Sequence, residues 1–186
     1  MKIVSEGKHI RLRLVRLEDA EFILSLRCDP DLSKWISQVE NDLSKQKRWI
    51  IDYKNREKQQ LEFYFIVESL DGDSLGTARV YDLKKDSFSW GSWIIKKGSP
   101  AYVAIESALC IYDFGYLELG FEKCHFDVEN GNKAVRRFHE GLGARFLRSS
   151  GNTNYFSTDK TSYIEKRVKY RKYLNVTEED ALTNVL

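Results

Sequence analysis

The sequence predicts a mixed α/β (α+β) fold in which helices flank one central, mostly antiparallel sheet. Three observations carry this. Residues 62–96 hold three apolar, β-rich runs separated by short polar turns, the pattern of an antiparallel meander. Two stretches of helical periodicity precede the meander. A long helix, a strand and a shorter helix follow it, and that strand-helix-strand passage makes the sheet a mixed one. The expected order is β-α-α-β-β-β-α-β-α-β-β.

Residues 9–17 alternate, with Ile10, Leu12 and Leu14 on one side and Arg11, Arg13 and Arg16 mostly on the other, as in a half-buried strand. Ala20, Ile23, Leu24 and Leu26 then recur at helical spacing, and Asp29-Pro30 ends that helix. Ser44 is the expected N-cap of a second helix reaching residue 57, with Trp49, Ile50 and Tyr53 on its buried side. The meander strands span 62–69, 75–83 and 87–96, turning at Asp71-Gly72-Asp73 and Lys84-Lys85-Asp86. Ser99-Pro100 opens a long helix, Ser as N-cap and Pro at the first helical position. A strand over 122–129 puts His125, Asp127 and Glu129 on its polar side. Asn130-Gly131-Asn132 leads into a helix over 133–142, stopped by Gly143. Residues 145–148 and 162–173 are expected to close the sheet as a hairpin joined by the polar loop 149–160. The organisation is a single domain over 1–174 and an acidic tail over 175–186.

Composition excludes several functions. The chain has 186 residues, 30 basic and 28 acidic, for a formal net charge of +2. A general phosphate-backbone binder needs a basic excess on one face, so no nucleic-acid partner is expected. The basic run Lys166 to Tyr173 alternates with Ile164, Val168 and Tyr170, which fits an amphipathic last strand better than a nucleic-acid patch. Cys28, Cys110 and Cys124 form no CxxC pair, so neither a zinc site nor a disulfide framework is expected, and a reducing compartment follows. The N-terminus has no apolar h-region and no window approaches about 18 apolar residues. A cytoplasmic protein without a membrane partner or metal is the expectation.

Two segments carry the chemistry. Lys96-Lys97-Gly98-Ser99-Pro100 joins a strand to a helix N-terminus, whose free N–H groups and partial positive charge suit an anionic phosphate. No GxxxxGK[ST] or GxGxxG is present. The second segment runs from Asn132 through Val135 and His139 to Gly143-Ala144. Together with the element order they resemble the GCN5-related N-acetyltransferases (GNAT), whose second motif is Asn-x-x-Ala-x-x-x-Tyr-x-x-x-Gly-Phe. The opening block is similar to the sugar-nucleotide and ribosomal-protein branches of that family: Ile10-Arg11-Leu12-Arg13, Leu26-Arg27, Asp29-Pro30, Trp35, then Gln46 to Trp49. The resemblance spans residues 8–173. The family's phosphate loop, Gln/Arg-x-x-Gly-x-Gly/Ala, falls on Lys96 to Ala101, with Ser99 in place of the glycine and a Pro100 that has no N–H to offer.

The resemblance implies acetyl-CoA as cofactor, lying where the strand ending at Ile95 splays from the strand over 122–129. Its pantetheine pairs with the backbone of Trp93, Ile94 and Ile95, and its pyrophosphate meets the amides of Lys97, Gly98, Ser99 and Ala101, with Asn132 as a further contact. The amine attacks the thioester directly, so no enzyme nucleophile is required. His139 falls on the family's tyrosine position, where an imidazolium would protonate the leaving thiolate. Asp127 is the expected base, with Glu129 beside it on the acceptor side. Trp35 and Tyr81 are assigned to the acceptor pocket, since flat aromatic faces stack on sugars and bases. Tyr155 and Phe156, in the expected late loop, are placed over it. The expected substrate is a small molecule with a primary amine, foremost an amino sugar on a nucleotide. An N-terminal protein acetyltransferase of the ribosomal type and a non-catalytic acyl-CoA-binding domain stand as alternatives, and a homodimer is left open.

Overall fold

A computed structural model describes residues 3–174 of the chain; the acidic tail lies outside them. Eight strands form one sheet: β1 (Ile3–Glu6), β2 (Ile10–Leu14), β3 (Phe63–Ser69), β4 (Ser74–Tyr81), β5 (Ser87–Ile95), β6 (Lys123–Glu129), β7 (Arg145–Ser150) and β8 (Thr153–Asp159). Their order is β1-β2-β3-β4-β5-β6-β8-β7, and every pair is antiparallel except β5 with β6. The helices are α1 (Ala20–Cys28), α2 (Leu43–Lys58), α3 (Ala101–Asp113), α4 (Lys133–Gly141) and α5 (Lys160–Arg167).

Alternation along β3 sorts the core into two layers. Phe65 and Val67 join the larger cluster with Val103, Leu109 and Tyr112 of α3, while Tyr64 and Ile66 join the smaller one with Ile23 of α1 and Ile50 and Tyr53 of α2. Burial on both faces explains why this strand reads as one continuous apolar run. The arginines of β2 are not a solvated face. Arg13 holds Asp19 through two bonds of 2.8 Å and Glu68 through a third of 2.8 Å, and Arg11 adds a bond of 2.7 Å to Glu68.

The C-terminal third differs from the sequence reading. The expected loop over 149–160 contains β8, whose alternating Asn154, Phe156 and Thr158 are buried against the sheet. The expected strand over 162–173 is α5 followed by a 3-10 turn. Asp159 caps that helix by accepting from the Ser162 amide at 2.7 Å, and Tyr163 docks on Tyr112 and Tyr116. Residues 160–168 fit both periods, and the cap decides for helix. Other boundaries move less. Asp42, not Ser44, caps α2. Pro100 occupies the N-cap position of α3, so Ser99 lies outside it. Asn132 sits at the N-cap of α4 but its side chain makes no capping bond.

Candidate active site

β5 and β6 are hydrogen-bonded only at Ser87–Lys123 and Phe88–Cys124, then part. From Trp90 onward, β5 keeps its other edge on β4, where Ile94 pairs Thr77 and Ile95 pairs Gly76, while the edge toward β6 is unpaired. A bulge falls between Thr77 and Arg79, and Ser92 adopts φ +48° opposite it; its carbonyl accepts from Thr77 Oγ1 at 3.0 Å. The parting strands open a cleft of about 510 Å³, lined by Trp90 to Trp93 on one wall, Phe126 to Glu129 on the other, and Asn132, Val135 and His139 at the α4 end. A backbone edge with free N–H and C=O groups facing such a slot suits an extended amide-bearing chain, which pairs as an added strand would.

The turn before α3 supplies anion donors, but not all those expected. Ser99 N–H is already used, donating to the Lys96 carbonyl at 3.2 Å. The amides of Gly98, Ala101 and Tyr102 have no acceptor among the described residues, and no side chain caps the helix. Gly98 takes φ +81°, the left-handed region that suits glycine. Lys97 is not a free point charge: its Nζ lies 2.8 Å from both Asp29 and Asp31, which ties this turn to the end of α1. Those bonds draw the Asp29 carboxyl below its ordinary range and raise the Lys97 ammonium. The slot and the three free amides fit CoA; the lysine contributes less than expected.

His139 is 5 % exposed and packed among aromatic rings, Phe126 at 4.4 Å and Trp90 and Tyr112 at 5.3 Å and 6.0 Å between centroids. Burial drives its pKa down to about 3. The imidazolium expected from the sequence is therefore absent at neutral pH. Its Nδ1 lies 2.9 Å from the Tyr112 hydroxyl, itself fully buried; the Trp90 indole N–H also lies beside that hydroxyl and can only donate. If Nδ1 carried the proton, the phenol O–H would have no acceptor. Hydrogen-bond economy therefore assigns Tyr112 as donor and leaves Nε2–H as the imidazole's free donor at the cleft.

Asp127 and Glu129 are exposed on β6 and line the cleft, Glu129 accepting from Asn152 Nδ2 at 3.3 Å. Tyr81 lines the same cleft. Its hydroxyl is pushed up chiefly by burial, and the Asp127 charge adds to the rise, which marks the two as neighbours. Trp35 closes the mouth, its ring against Gly131 at the β6–α4 turn. Tyr155 does not fit its expected place. It pairs Asp127 across β8 and β6, but its ring is covered by the Arg148 guanidinium at 3.8 Å and is not part of the cleft wall. Phe156 is core, 1 % exposed. Sequence reasoning missed Tyr112 as the partner of His139, the bulge at Ser92, and Leu32, Ile36 and Ser37 in the cleft wall. The Trp35 stretch had no clear period, so only its aromatic content pointed there.

The fold and the cleft together define an acyltransferase. Residues 9–145 match the family described as "Acetyltransferase (GNAT) domain", and the chain belongs to the GNAT acetyltransferase family. Among solved structures it is similar to apo FdhC, described as a nucleotide-linked sugar GNAT, at 38 % identity and TM-score 0.85, covering 94 % of this chain and 100 % of that one. A GCN5-related N-acetyltransferase from Brucella melitensis is 17 % identical with TM-score 0.73, over 92 % and 84 % of the two chains. Spermidine N-acetyltransferase from Vibrio cholerae, solved with CoA and spermine, is 17 % identical with TM-score 0.68, over 84 % and 98 %. These last two share the fold. No curated protein sequence matches the chain. Among the described residues there is no cluster of metal ligands and no helix long and apolar enough to cross a membrane.

Proposed function

We propose that this protein transfers an acetyl group from acetyl-CoA to the primary amine of an amino sugar carried on a nucleotide. The observation that carries the reading is the cleft itself: an unpaired β5 edge on one wall faces two exposed carboxylates on the other, with Trp35 and Tyr81 framing the acceptor side. The likeness to a nucleotide-linked sugar GNAT over the whole of that chain supports the acceptor class.

Bound acetyl-CoA supplies the thioester carbonyl that the amine attacks. The protein's part is to hold, orient and move protons. The β5 edge from Trp93 to Ile95 aligns the pantetheine arm, and the Gly98, Ala101 and Tyr102 amides hold the diphosphate. Asp127 takes the amine proton, with Glu129 adding negative charge that favours an ammonium at the cleft mouth. His139 Nε2–H donates a hydrogen bond to the sulfur as negative charge develops there. A neutral imidazole does not give that proton up outright. His139 would therefore stabilise charge at the thioester sulfur in place of acting as an acid.

Thiol release tests the reading. Release with nucleotide-linked amino sugars, and none with N-terminal peptides or spermidine, is the expected pattern. Release with peptides alone would replace this function with that of a protein N-terminal acetyltransferase.

A further inference from the structure

A second cavity of about 200 Å³ adjoins the cleft through Ser37 and Ser92 and lies under α1 and α2. Arg27 of α1, Trp49 of α2, Tyr64 of β3 and Arg79 of β4 line it. Its polar groups are under-used. The Tyr64 side chain is buried, the residue being 2 % exposed, and its hydroxyl, which lies against the Arg27 and Thr77 side chains, makes no well-formed hydrogen bond. Arg27 Nε is also buried and unpartnered; its Nη2 donates to the Ser37 carbonyl and hydroxyl, at 2.8 and 3.0 Å, and its guanidinium lies beside the Tyr64 hydroxyl. No carboxylate pairs with Arg27 among the described residues. Arg79 shares the single carboxylate of Glu62 with Arg56, which bonds it at 2.5 Å, and lays its guanidinium over Trp49 at 5.2 Å. The cavity thus has two guanidinium groups on its wall, one without a counter-ion, beside a buried hydroxyl without an acceptor. Buried donors in that state are costly to leave unpaired, which favours an anionic ligand that supplies the missing acceptors.

Resting on the function proposed above, we infer that this cavity is an oxyanion subsite for the acceptor, taking a phosphoryl group of its diphosphate between Arg27, Arg79 and the Tyr64 hydroxyl. Planar guanidinium forks match phosphate oxygens, and an O–H donor completes the set. The subsite would make the acceptor site bipolar. Its amine end lies by Asp127 and Glu129, and its anionic end lies beyond the Ser92 bulge. A polyamine acceptor, cationic along its length, is repelled at the second end.

The probes are uridine and thymidine diphosphate, titrated calorimetrically into protein saturated with CoA so that the cofactor's own diphosphate site is filled. Both or one should bind, and Arg27→Gln should weaken that binding at least tenfold while CoA affinity holds, with Arg27→Lys partly restoring it. Arg27 has no acidic partner to orphan, so its variant is expected to fold, and the CoA titration reports that it has. Arg79→Gln gives the second reading. Absence of nucleoside diphosphate binding, parental affinity in both Gln variants, or spermidine binding as tightly as the nucleotide would overturn the subsite. The two proposals fail separately. Arginine-dependent nucleotide binding without thiol release leaves the subsite and removes the function. Thiol release from sugar nucleotides with KM unchanged in both variants does the reverse.

Discussion

The Tyr112 hydroxyl lies 2.9 Å from Nδ1 of His139, a residue that lines the cleft, and hydrogen-bond economy makes the hydroxyl the donor, in a shell of rings that disfavours charge on the imidazole. One buried hydrogen bond from α3 thereby fixes the tautomer of a residue on α4. His139→Phe keeps the aromatic packing and removes the donor. Turnover should fall about 100-fold, in the range found for single oxyanion donors, with CoA affinity nearly unchanged. Tyr112→Phe should fall in the same direction by about tenfold, since it frees the tautomer without removing the ring. Steady-state kcat and CoA calorimetry on both variants check this; an unchanged kcat in His139→Phe removes the residue from the chemistry.

The same burial makes stability depend on pH. His139 has a folded pKa of about 3, below the ordinary value of 6.5, so the unfolded chain binds the proton more readily. Its contribution is complete above pH 6.5 and is lost as pH falls toward 3, at up to about 1.4 kcal/mol per pH unit. Urea melts from pH 7 to pH 4.5 should show falling stability, with a flatter profile in His139→Phe. Parallel profiles would mean that the imidazole is accessible to protons in the folded state.

Asp127 stands exposed on β6 beside Tyr81, where an incoming amine would pass. Asp127→Asn keeps the shape and removes the proton acceptor. A loss of about 10²-fold or more in kcat and a displaced acidic limb of the pH–rate curve are expected. If the limb stays where it is, Glu129→Gln becomes the informative variant.

How far the sequence carried this architecture depended on whether a signal was local. The meander was legible because Asp71-Gly72-Asp73 and Lys84-Lys85-Asp86 punctuate runs whose burial follows their own pattern. The α4 end of the cleft was legible because the family-like segment holding Asn132, Val135 and His139 lines it. Residues 160–173 were misread because Ile164, Val168 and Tyr170 satisfy a strand period as well, and only the Asp159–Ser162 cap distinguishes the outcomes. The protonation state of His139 could not be read at all. It depends on Trp90, Tyr112 and Phe126, which come from three other elements, and desolvation by distant residues leaves no trace in a neighbouring sequence.

The turn into α3 offers three free amides and a lysine already engaged by two aspartates. Affinity for the CoA diphosphate should therefore depend more on backbone than on Lys97. Ala101→Asp places a carboxylate in the first turn, against the anion, and should raise the CoA Kd tenfold or more, a loss of about 1.4 kcal/mol. Lys97→Gln should raise it by less. Equal or reversed effects in calorimetry would assign the anion to the side chain.

Trp35 rests on Gly131, and a Cβ there would run into the indole ring. Gly131 has no positive φ, so the contact, not backbone strain, requires the glycine. Gly131→Ala should push Trp35 off the β6–α4 turn and widen the cleft mouth, while the cofactor turn, carried by β5 and α3, is untouched. Overpacking of this kind costs about 1–3 kcal/mol where neighbours cannot yield, but Trp35 sits on a loop and is partly exposed, so it can move. The cost should then appear in acceptor binding and not in folding. KM for the acceptor should rise about tenfold, with melting temperature and CoA affinity close to the parent. A drop in melting temperature with KM unchanged would make Trp35 a packing residue and leave Tyr81 to frame the acceptor alone.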